Sequence, residues 1–557
     1  MSIALARTRL GERLDECDYV IVGAGSAGCV LANRLSEDPA TRVLALEAGG
    51  QDNSVFMKIP LAWRQIWRGP KFNWNYVTEP EAFCDARRIA LPRGKVLGGS
   101  SSINGMLYVR GNPRDYDLWR QAGCEGWSYA DVLPYFKRAE GSWRGTSDYH
   151  GGSGPLGVSP TDVKNLNYEM IRDTAKAAGI PLTEDFSGAQ PEGFGIVDLT
   201  IKGGERASAS RVYLRPALAR PNLVVRTGAL TRRILVENGR AAGVAYVCDG
   251  QERVVRARKE VLLCGGSYNS PQVLLLSGIG PSQEIAAHGI APVHDLPGVG
   301  KNLSEHVVFH VQFAMKTPVT FLNRLRADRV ALSVLQWALF RNGDFATQAL
   351  TGLAFIKSRP EVERPDIQLF FNSTRMDAKI WFPGLSKPQE HMLEGYPSLN
   401  YPESRGDVRL ASADPAAPPA IRLNFLSSEG DRATARACIR EVRRIYNTPP
   451  LGGHIDRETS PGPGVQSDAE LDAFTRGAAE VGHHPVGTCA MGVGPMAVVD
   501  PQLRVRGLQG LRVVDASIMP TVPGGNTNGP TIMIAERAAD LILGRTPLAP
   551  WAPGAAA

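Results

Sequence analysis

The sequence has few cysteines, no long apolar run and no block of like charge. Its eight cysteines, spread over 557 residues, form no Cys-x-x-Cys pair, so the ligand spacing of zinc sites and redox dithiols is missing. So few scattered cysteines fit a reducing compartment. No stretch reaches the ~18 apolar residues of a transmembrane helix, and residues 1–18 lack the apolar segment of a secretory signal. We therefore expect a cytoplasmic protein without a transmembrane segment and without a metal site.

The charge balance excludes a nucleic-acid partner. The net charge is +6, but the densest basic clusters, 226–233 and 253–259, are interleaved with apolar residues in the manner of strands. A nucleic-acid footprint would be more concentrated. The composition, with 43% hydrophobic and 21% charged residues, is that of an ordinary globular protein with a large core.

The first organised segment is a predicted strand–turn–helix–strand unit. An apolar run at 18–22 precedes the turn Gly23-Ala-Gly25-Ser-Ala-Gly28, a helix is predicted over 27–35, and a second apolar run ends at Glu47. In this arrangement the glycines permit a tight turn, approach of a pyrophosphate and close packing of helix on strand. The helix N-terminus attracts the pyrophosphate, and Glu47 is placed to accept hydrogen bonds from ribose hydroxyls. The unit predicts a dinucleotide site but does not choose between FAD and NAD.

Later motifs resemble the glucose–methanol–choline (GMC) oxidoreductase family of FAD enzymes. They occur in family order across nearly the whole chain, and the region 316–475 matches least. The blocks are Gly94-Lys-Val-Leu-Gly-Gly-Ser-Ser-Ser-Ile-Asn104, the segment 266–280, Val299-Gly-Lys-Asn-Leu, His484-Pro-Val-Gly-Thr, Val514-Asp-Ala-Ser-Ile-Met-Pro520 and the segment 525–536.

The resemblance implies a mixed fold, in which a Rossmann-like α/β FAD-binding domain is interleaved with an α+β substrate-binding domain built on an antiparallel sheet. Neither domain is continuous in sequence. The expected segments are 15–155, 221–305 and 476–546 for the FAD-binding domain, 156–220 and 306–475 for the substrate side, and 547–557 for a loose tail.

The expected FAD contacts combine the dinucleotide motif with residues implied by the resemblance. They are Gly23, Gly25, Ser26, Ala27, Gly28, Glu47, Ala48, Leu97, Gly98, Gly99, Ser100, Asn104, Gly105, Met106, Leu107, Leu230, Asp515, Ala516, Asn526 and Thr527. In relatives that bind FAD covalently, a histidine occupies the position of Ile103. Isoleucine forms no such bond, so the resemblance implies dissociable, non-covalent FAD.

The same resemblance selects a catalytic pair from nine histidines. His484 begins the block that resembles the family's active site, and the following proline restricts its backbone. Asn526 occupies a position that holds histidine or asparagine beside the flavin. Asn528 is the competing residue in the same loop, since turn chemistry alone explains either asparagine, and His483 is expected to be a packing neighbour.

The implied reaction is oxidation of an alcohol by hydride transfer to flavin N5. His484 would remove the hydroxyl proton as a general base, and Asn526 would donate a hydrogen bond to the developing alkoxide. A final helix predicted to start at Pro530 would place its positive end near the reduced flavin. The electron acceptor, oxygen or a quinone or redox protein, is left open, as is the oligomeric state.

The substrate is expected to be a primary alcohol, benzylic or aliphatic. Choline-specific relatives use a glutamate where the alignment places Thr351, and no carboxylate lies between Phe345 and Ser358. Aromatic residues suggest an apolar pocket, namely Phe370, Phe371, Trp381 and Phe382. Fatty-acid photodecarboxylase and hydroxynitrile lyase activities occur on the same fold and remain alternatives.

One segment leaves a second localisation open. Residues 329–340 have helical apolar spacing at Val330, Val334, Trp337 and Ala338. A helix buried in the core is the commoner explanation of such a stripe, and peripheral docking on a membrane or partner is the alternative.

Overall fold

The computed structural model describes residues 14–67 and 69–552. The expectations for residues 1–13 and for the last five residues lie outside these ranges. The start of the predicted tail is not loose, because the Leu548 N–H donates to the Tyr135 hydroxyl at 3.1 Å and the Trp551 N–H donates to the Ala130 carbonyl at 2.8 Å. No helix within the described ranges has the length and apolar character required to cross a bilayer.

A seven-stranded sheet forms the centre of the first half of the fold. Five of its strands are mutually parallel, and a hairpin continues it in antiparallel fashion. The parallel strands are Leu223–Thr227, Val43–Glu47, Glu16–Val22, Gln251–Leu263 and Leu511–Val513, and the hairpin is Arg240–Cys248 with Leu230–Glu237. The strands Val43–Glu47 and Glu16–Val22 are almost continuously apolar because both faces are covered, as is usual for parallel sheets.

An eight-stranded antiparallel sheet carries the other half. Its strands are Ile455–Ser460, Val311–Met315, Met392–Leu399, Ile367–Asn372, Leu350–Ile356 and Gly193–Gly195, with Val307–Val308 and Glu480–Val481 at one side. The amphipathic helix Glu429–Tyr446 packs its apolar stripe, which includes Val442 and Tyr446, on this sheet. Together the two sheets confirm the predicted mixed fold class.

Smaller sheets connect these two bodies. A four-stranded sheet contains Leu107–Tyr108, Asp198–Leu199, Leu156–Pro160 and Glu140–Ser142. Two-stranded ladders pair Ile201–Lys202 with Glu205–Arg206, Ile279–Gly280 with His294–Asp295, Asp407–Arg409 with Ala420–Arg422, and Tyr76–Val77 with Ala90–Leu91.

Helices cover both sheets. The α-helices are Ser26–Leu35, Val55–Lys58, Trp63–Trp67, Pro113–Gln121, Tyr129–Ala139, Tyr168–Ala177, Arg215–Ala217, Gly266–Leu276, Ser282–Ala286, Ala327–Phe340, Glu429–Tyr446, Leu451–His454, Asp468–Ala478 and Asn528–Leu543. Short 3₁₀ turns are Pro60–Ala62, Pro70–Phe72, Gly99–Ser102, Phe321–Leu325, Asp344–Ala346 and Ala516–Ile518, and Ser210–Leu214 is a π-helical turn.

Two predicted strands are each divided in the structure. The segment 222–235 bends at Gly228, whose positive φ of 68° suits glycine, so that its two parts join opposite edges of the first sheet. The segment 307–315 is interrupted opposite Pro397, which has no N–H to donate to a ladder. The last helix begins at Asn528 rather than Pro530.

Candidate active site

A cavity of about 790 Å³ lies between the two sheets. On one side it is lined at the carboxyl ends of the parallel strands by Val22, Glu47, Cys264 and Asp515. On the other side, side chains of the antiparallel sheet line it, among them Phe370 and Tyr396. Ligands of open parallel sheets bind at this edge, so the cavity is the candidate active site.

Contacts between glycines shape the end of the cavity near the first strand. A Cβ on Gly28 would lie 1.9 Å from the Gly23 carbonyl oxygen, and a Cβ on Gly99, which has a φ of 53°, would lie 2.8 Å from the Gly25 Cα. The two glycine-rich loops therefore touch each other. The helix Ser26–Leu35 has no side-chain cap, which leaves its first N–H groups available to an anion.

Glu47 is held rigidly at this end. Its Oε2 accepts a hydrogen bond from the Ala24 N–H at 3.0 Å, and its Oε1 accepts one from the Gly49 N–H at 2.8 Å. Burial raises the pKa of Glu47 to about 7, against the lowering effect of these two hydrogen bonds. Each carboxylate oxygen retains a lone pair for a ribose hydroxyl.

The structure places most of the predicted FAD contacts on the cavity wall. The lining residues among them are Gly23, Gly25, Ser26, Ala27, Glu47, Ala48, Gly99, Ser100, Asn104, Gly105, Met106, Leu107, Leu230, Asp515, Ala516, Asn526 and Thr527. Gly28, Leu97 and Gly98 do not line it. They lie behind the wall, where Gly28 packs on the Gly23 carbonyl and the backbone of Gly98 and Leu97 bonds to Ala24 and Gly50.

Two antiparallel segments bring a pair of histidines together. Ser304 and Val486 exchange backbone hydrogen bonds at 3.1 and 2.9 Å, and the Gly482 N–H donates to the His306 carbonyl at 2.8 Å. This pairing places the His306 and His484 rings in contact, with a distance of 2.9 Å between their Nδ1 atoms. His484 lines the cavity.

Hydrogen bonds assign the tautomers of both rings. The Nε2–H of His306 donates to the Asn400 carbonyl at 3.0 Å, so in the neutral ring Nδ1 is an acceptor. His484 therefore carries its proton on Nδ1 and donates it to His306. This leaves the Nε2 lone pair of His484 facing Asn526, whose Nδ2 lies 3.0 Å away.

The orientation of Asn526 is consistent with that assignment. The Gln368 Nε2 donates to the Asn526 Oδ1 at 3.3 Å, which leaves the Asn526 amide nitrogen to donate to His484. Gln368 lies in the strand Ile367–Asn372 of the antiparallel sheet, and Asn400 directly follows the strand Met392–Leu399 of the same sheet. The second sheet thus orients both members of the predicted catalytic pair, Asn526 directly and His484 through His306.

Both histidines are held neutral. Burial is the main cause that places the pKa of His484 well below its usual value. The nearby His306, His483 and Arg93 lower this pKa further. Burial also lowers the pKa of His306 to about 4. A neutral imidazole with a free Nε2 lone pair is the state that a general base requires.

Glu305 fixes the backbone beneath the two rings. Its Oε1 accepts hydrogen bonds from the N–H groups of His484, at 2.6 Å, and of His306, at 2.9 Å. Burial raises the pKa of Glu305 to about 8. This side chain joins the two histidines through their main chains as well as through their rings.

The two competing residues have other contacts. The Oδ1 of Asn528 accepts a hydrogen bond from the Ser26 hydroxyl at 2.9 Å, so Asn528 ties the last helix to the first. His483 packs edge-on against Trp67 with 5.2 Å between ring centroids. The structure therefore places Asn526, and not Asn528, beside His484.

Sequence reasoning missed His306 and Glu305. A signal was present, since both residues lie within three positions of the end of the block Val299-Gly-Lys-Asn-Leu, which resembles the family. Their importance depends on contact with a segment about 180 residues away, as the separation of 178 between His306 and His484 shows. Spacing within one sequence does not reveal such a contact.

The cavity wall also carries a group of apolar and aromatic side chains, and we call the part of the wall that they form the apolar end. These side chains are Ile59, Leu61, Trp63, Trp67, Phe345, Leu350, Phe370 and Tyr396. The prediction of a pocket aromatic is correct for Phe370 and wrong for three others: Phe371 is buried in the core against Tyr446, and Trp381 and Phe382 lie at the surface.

Among the described residues, the cavity wall carries three carboxylates, Glu47, Asp515 and Glu480. Glu47 and Asp515 belong to the dinucleotide end. Glu480 lies 3.4 Å from His310 Nε2, and the pKa of His310 is raised to about 9 by its hydrogen bonds to Glu394 and Glu480, which outweigh the opposing effect of burial. Thr351 does not line the cavity, and its hydroxyl donates to the Leu166 carbonyl at 2.8 Å.

The amino-acid sequence is similar to known proteins over most of the chain. Two family models described as GMC oxidoreductase match residues 17–308 and 402–535. The chain therefore belongs to the GMC oxidoreductase family. It is an FAD-dependent oxidoreductase that acts on CH–OH groups, as the sequence motifs predict.

Curated relatives and solved structures extend this similarity. The chain is 45% identical to oxygen-dependent choline dehydrogenase of Photobacterium profundum over 96% of this chain and 94% of the relative. Identity to the enzyme of that name from Rhizobium johnstonii is also 45%, over 96% and 98%. Pyridoxine 4-oxidase from Mesorbium loti superposes with a TM-score of 0.84 at 30% identity, covering 95% of this chain and 100% of that structure. A formate oxidase variant of Aspergillus oryzae RIB40 gives a TM-score of 0.88 at 26% identity, covering 95% and 98%.

Replacing His306 tests the tautomer assignment. In His306→Ala the Nδ1–H of His484 loses its acceptor, so we expect the rate of flavin reduction by alcohol to fall by about 10²-fold, the lower end of a general base's contribution. His306→Asn, which offers an amide oxygen to His484, should restore part of the rate. Stopped-flow absorbance of the holoenzyme measures this.

His288→Ala serves as the histidine control, because this side chain lies outside the cavity wall. FAD content and melting temperature of each variant report on folding. An unchanged rate in His306→Ala with FAD retained would show that His306 does not fix the ring of His484.

Proposed function

We propose that the protein oxidises an uncharged primary alcohol to the corresponding aldehyde. His484 is the general base and Asn526 is the hydrogen-bond donor to the alkoxide. The observation that carries this proposal is the hydrogen-bonded chain from the Asn400 carbonyl through His306 to His484, which leaves the His484 Nε2 lone pair in the cavity.

Each side chain has a defined part in the reaction. The alcohol hydroxyl would displace the hydrogen bond between Asn526 and His484 and donate to His484 Nε2. As the proton moves to Nε2, His484 becomes cationic, and the hydrogen bond from its Nδ1–H to His306 disperses that charge. The Asn526 amide then donates to the oxygen that gains negative charge. A donor of this kind contributes about 3–4 kcal/mol in hydrolytic oxyanion sites.

The residues present fit FAD. The loops at Gly25 and Gly99 both line the cavity and touch so closely that a Cβ on Gly99 would clash with Gly25. The first turn of Ser26–Leu35 presents free N–H groups for a pyrophosphate. When bound, FAD accepts the hydride from the alcohol carbon. The start of the helix Asn528–Leu543, where Thr527, Asn528 and Thr531 line the cavity, directs its positive end toward negative charge there.

The charge of the cavity supports an uncharged substrate. Glu394 and Glu480 share the protonated His310, and Arg64 and Arg93 also lie on the wall, so three positive groups accompany these two carboxylates. No described carboxylate near the apolar end is left to bind a quaternary ammonium group, and leaving a cation without a counter-charge in such a site is costly. The proposed substrate therefore differs from choline, after which the two related dehydrogenases are named.

Ile103 supports non-covalent attachment of the cofactor. Its side chain lines the cavity at the position where covalent relatives carry histidine, and it has no group that bonds to a flavin ring. We expect acid precipitation of the holoenzyme to release FAD into the supernatant and to leave a colourless pellet. A yellow pellet would contradict this expectation.

An anaerobic alcohol panel tests the proposed reaction and substrate together. The holoenzyme is mixed with benzyl alcohol, an aliphatic alcohol, choline and the neutral tert-butyl analogue of choline, and the flavin absorbance is followed in the dark. The neutral analogue should reduce the flavin with a kcat/KM at least about 10-fold above that of choline, because choline brings an uncompensated charge. His484→Ala should retain FAD and lose at least about 10²-fold in reduction rate.

The outcomes separate the parts of the proposal. A preference for choline over its neutral analogue would contradict the substrate class and leave the base assignment intact. A near-normal rate in His484→Ala, measured beside His288→Ala as control, would contradict the base. A photodecarboxylase or hydroxynitrile lyase would leave the flavin oxidised with every alcohol.

A further inference from the structure

The helix Ala327–Phe340 is apolar on both of its faces. Its inner face carries Val330, Val334 and the buried Trp337. Its outer face is open to solvent and carries apolar side chains at helical spacing, with exposed fractions of 66% for Leu332, 54% for Leu335 and 64% for Leu339. The expectation of a helix buried in the core is therefore wrong for the outer face. A helix that is hydrophobic all round needs an apolar environment on each side.

A neighbouring loop extends the exposed surface. Trp381 runs beside the start of the helix, since its N–H donates to the Leu325 carbonyl at 3.2 Å and its carbonyl accepts from the Ala327 N–H at 2.8 Å. The residues on either side of Trp381 are exposed and apolar. We call the whole surface the apolar patch, and it consists of Leu332, Leu335, Leu339, Phe340, Ile380, Phe382 and Leu385.

Basic side chains accompany the apolar patch. The two segments that carry it, 321–345 and 375–389, contain seven arginines and lysines against three carboxylates. The carboxylates are already paired within these segments, Asp328 with Arg326, Asp344 with Arg324 and Asp377 with Arg375. Lys379 and Lys387 are exposed and form no ion pair with a described residue. Arg341 pairs with Glu205 outside these segments, and Arg329, Lys379 and Lys387 still leave the surroundings of the patch positively charged.

The apolar patch adjoins the mouth of the cavity. Val330 and Val334 line the cavity from the inner face of the same helix, and Ile380 lines it while being 57% exposed. Phe56, half exposed, lines it from the helix Val55–Lys58. Apolar surface therefore continues from the outside of the molecule into the cavity.

We propose that the apolar patch docks on the surface of an anionic phospholipid bilayer. An apolar face with basic residues at its border is the pattern by which helices lie in the membrane interface. In this orientation the outer leucines enter the acyl boundary, the lysines and arginines meet the lipid phosphates, and the cavity opens toward the lipid. The charge at the border favours a bilayer over a second copy of this chain, whose patch would carry the same sign.

Vesicle co-sedimentation of the holoenzyme tests the proposal. The protein should sediment with vesicles of phosphatidylglycerol and phosphatidylcholine, bind less to phosphatidylcholine alone, and be released by added salt. The double variant L335E/L339E should lower the partition coefficient at least about 10-fold. Its flavin reduction by a water-soluble alcohol should not change, because neither leucine lines the cavity.

The variant V293E/V493E is the matched control. These valines are 51% and 63% exposed, fractions similar to those of Leu335 and Leu339. Both lie outside the two segments of the patch. The control should bind vesicles like the wild type. A wild type that stays in the supernatant, or an L335E/L339E variant that binds as well as the wild type, would overturn the proposal. A dimer in sedimentation velocity that only L335E/L339E dissociates, without vesicle binding, would also overturn it.

Discussion

The hydrogen bond between the rings of His306 and His484 links the two halves of this enzyme at the proposed catalytic site. His306 precedes a strand of the antiparallel sheet, while the segment after His484 leads into the closing part of the dinucleotide-binding half. The Nε2–H of His306 donates to the Asn400 carbonyl, so in the bond between the rings His306 Nδ1 is the acceptor and the Nδ1–H of His484 is the donor. A main-chain carbonyl directly after a strand of the antiparallel sheet thus fixes which nitrogen of His484 carries the proton.

Burial makes this arrangement effective. In water both imidazoles would be partly protonated near neutral pH, and two cationic rings in contact would repel each other. Burial keeps both rings neutral, and Glu305 holds their main chains together. The cavity differs at Glu480, which is half exposed and lies 3.4 Å from His310, whose pKa is raised to about 9 by hydrogen bonds that outweigh the effect of burial.

Local sequence was sufficient for the features that depend on local geometry. The turn from Gly23 to Gly28 follows from the steric needs of a strand–helix junction, and the structure packs Gly28 against Gly23 as that motif requires. Resemblance to the family pointed to His484 and Asn526, which the structure brings within hydrogen-bond distance. What remained hidden depends on the tertiary fold. His306 gains its role through a partner 178 residues away. The solvent-facing side of Ala327–Phe340 was expected to be core, because an apolar stripe in the sequence does not reveal whether protein or solvent lies against it.

The neutral state of His484, with its Nε2 lone pair toward the substrate, is tested most directly by the pH dependence of anaerobic flavin reduction by an alcohol. Since the pKa of His484 is lowered, its basic form persists as the pH falls past the usual histidine value. We predict a rate constant that is level from about pH 7 to about pH 5, a range that spans the ordinary histidine pKa of about 6.5 and lies below the pKa of about 8 of Glu305. A rate constant that falls as the pH drops through about 6.5, following an ordinary histidine, would contradict this assignment.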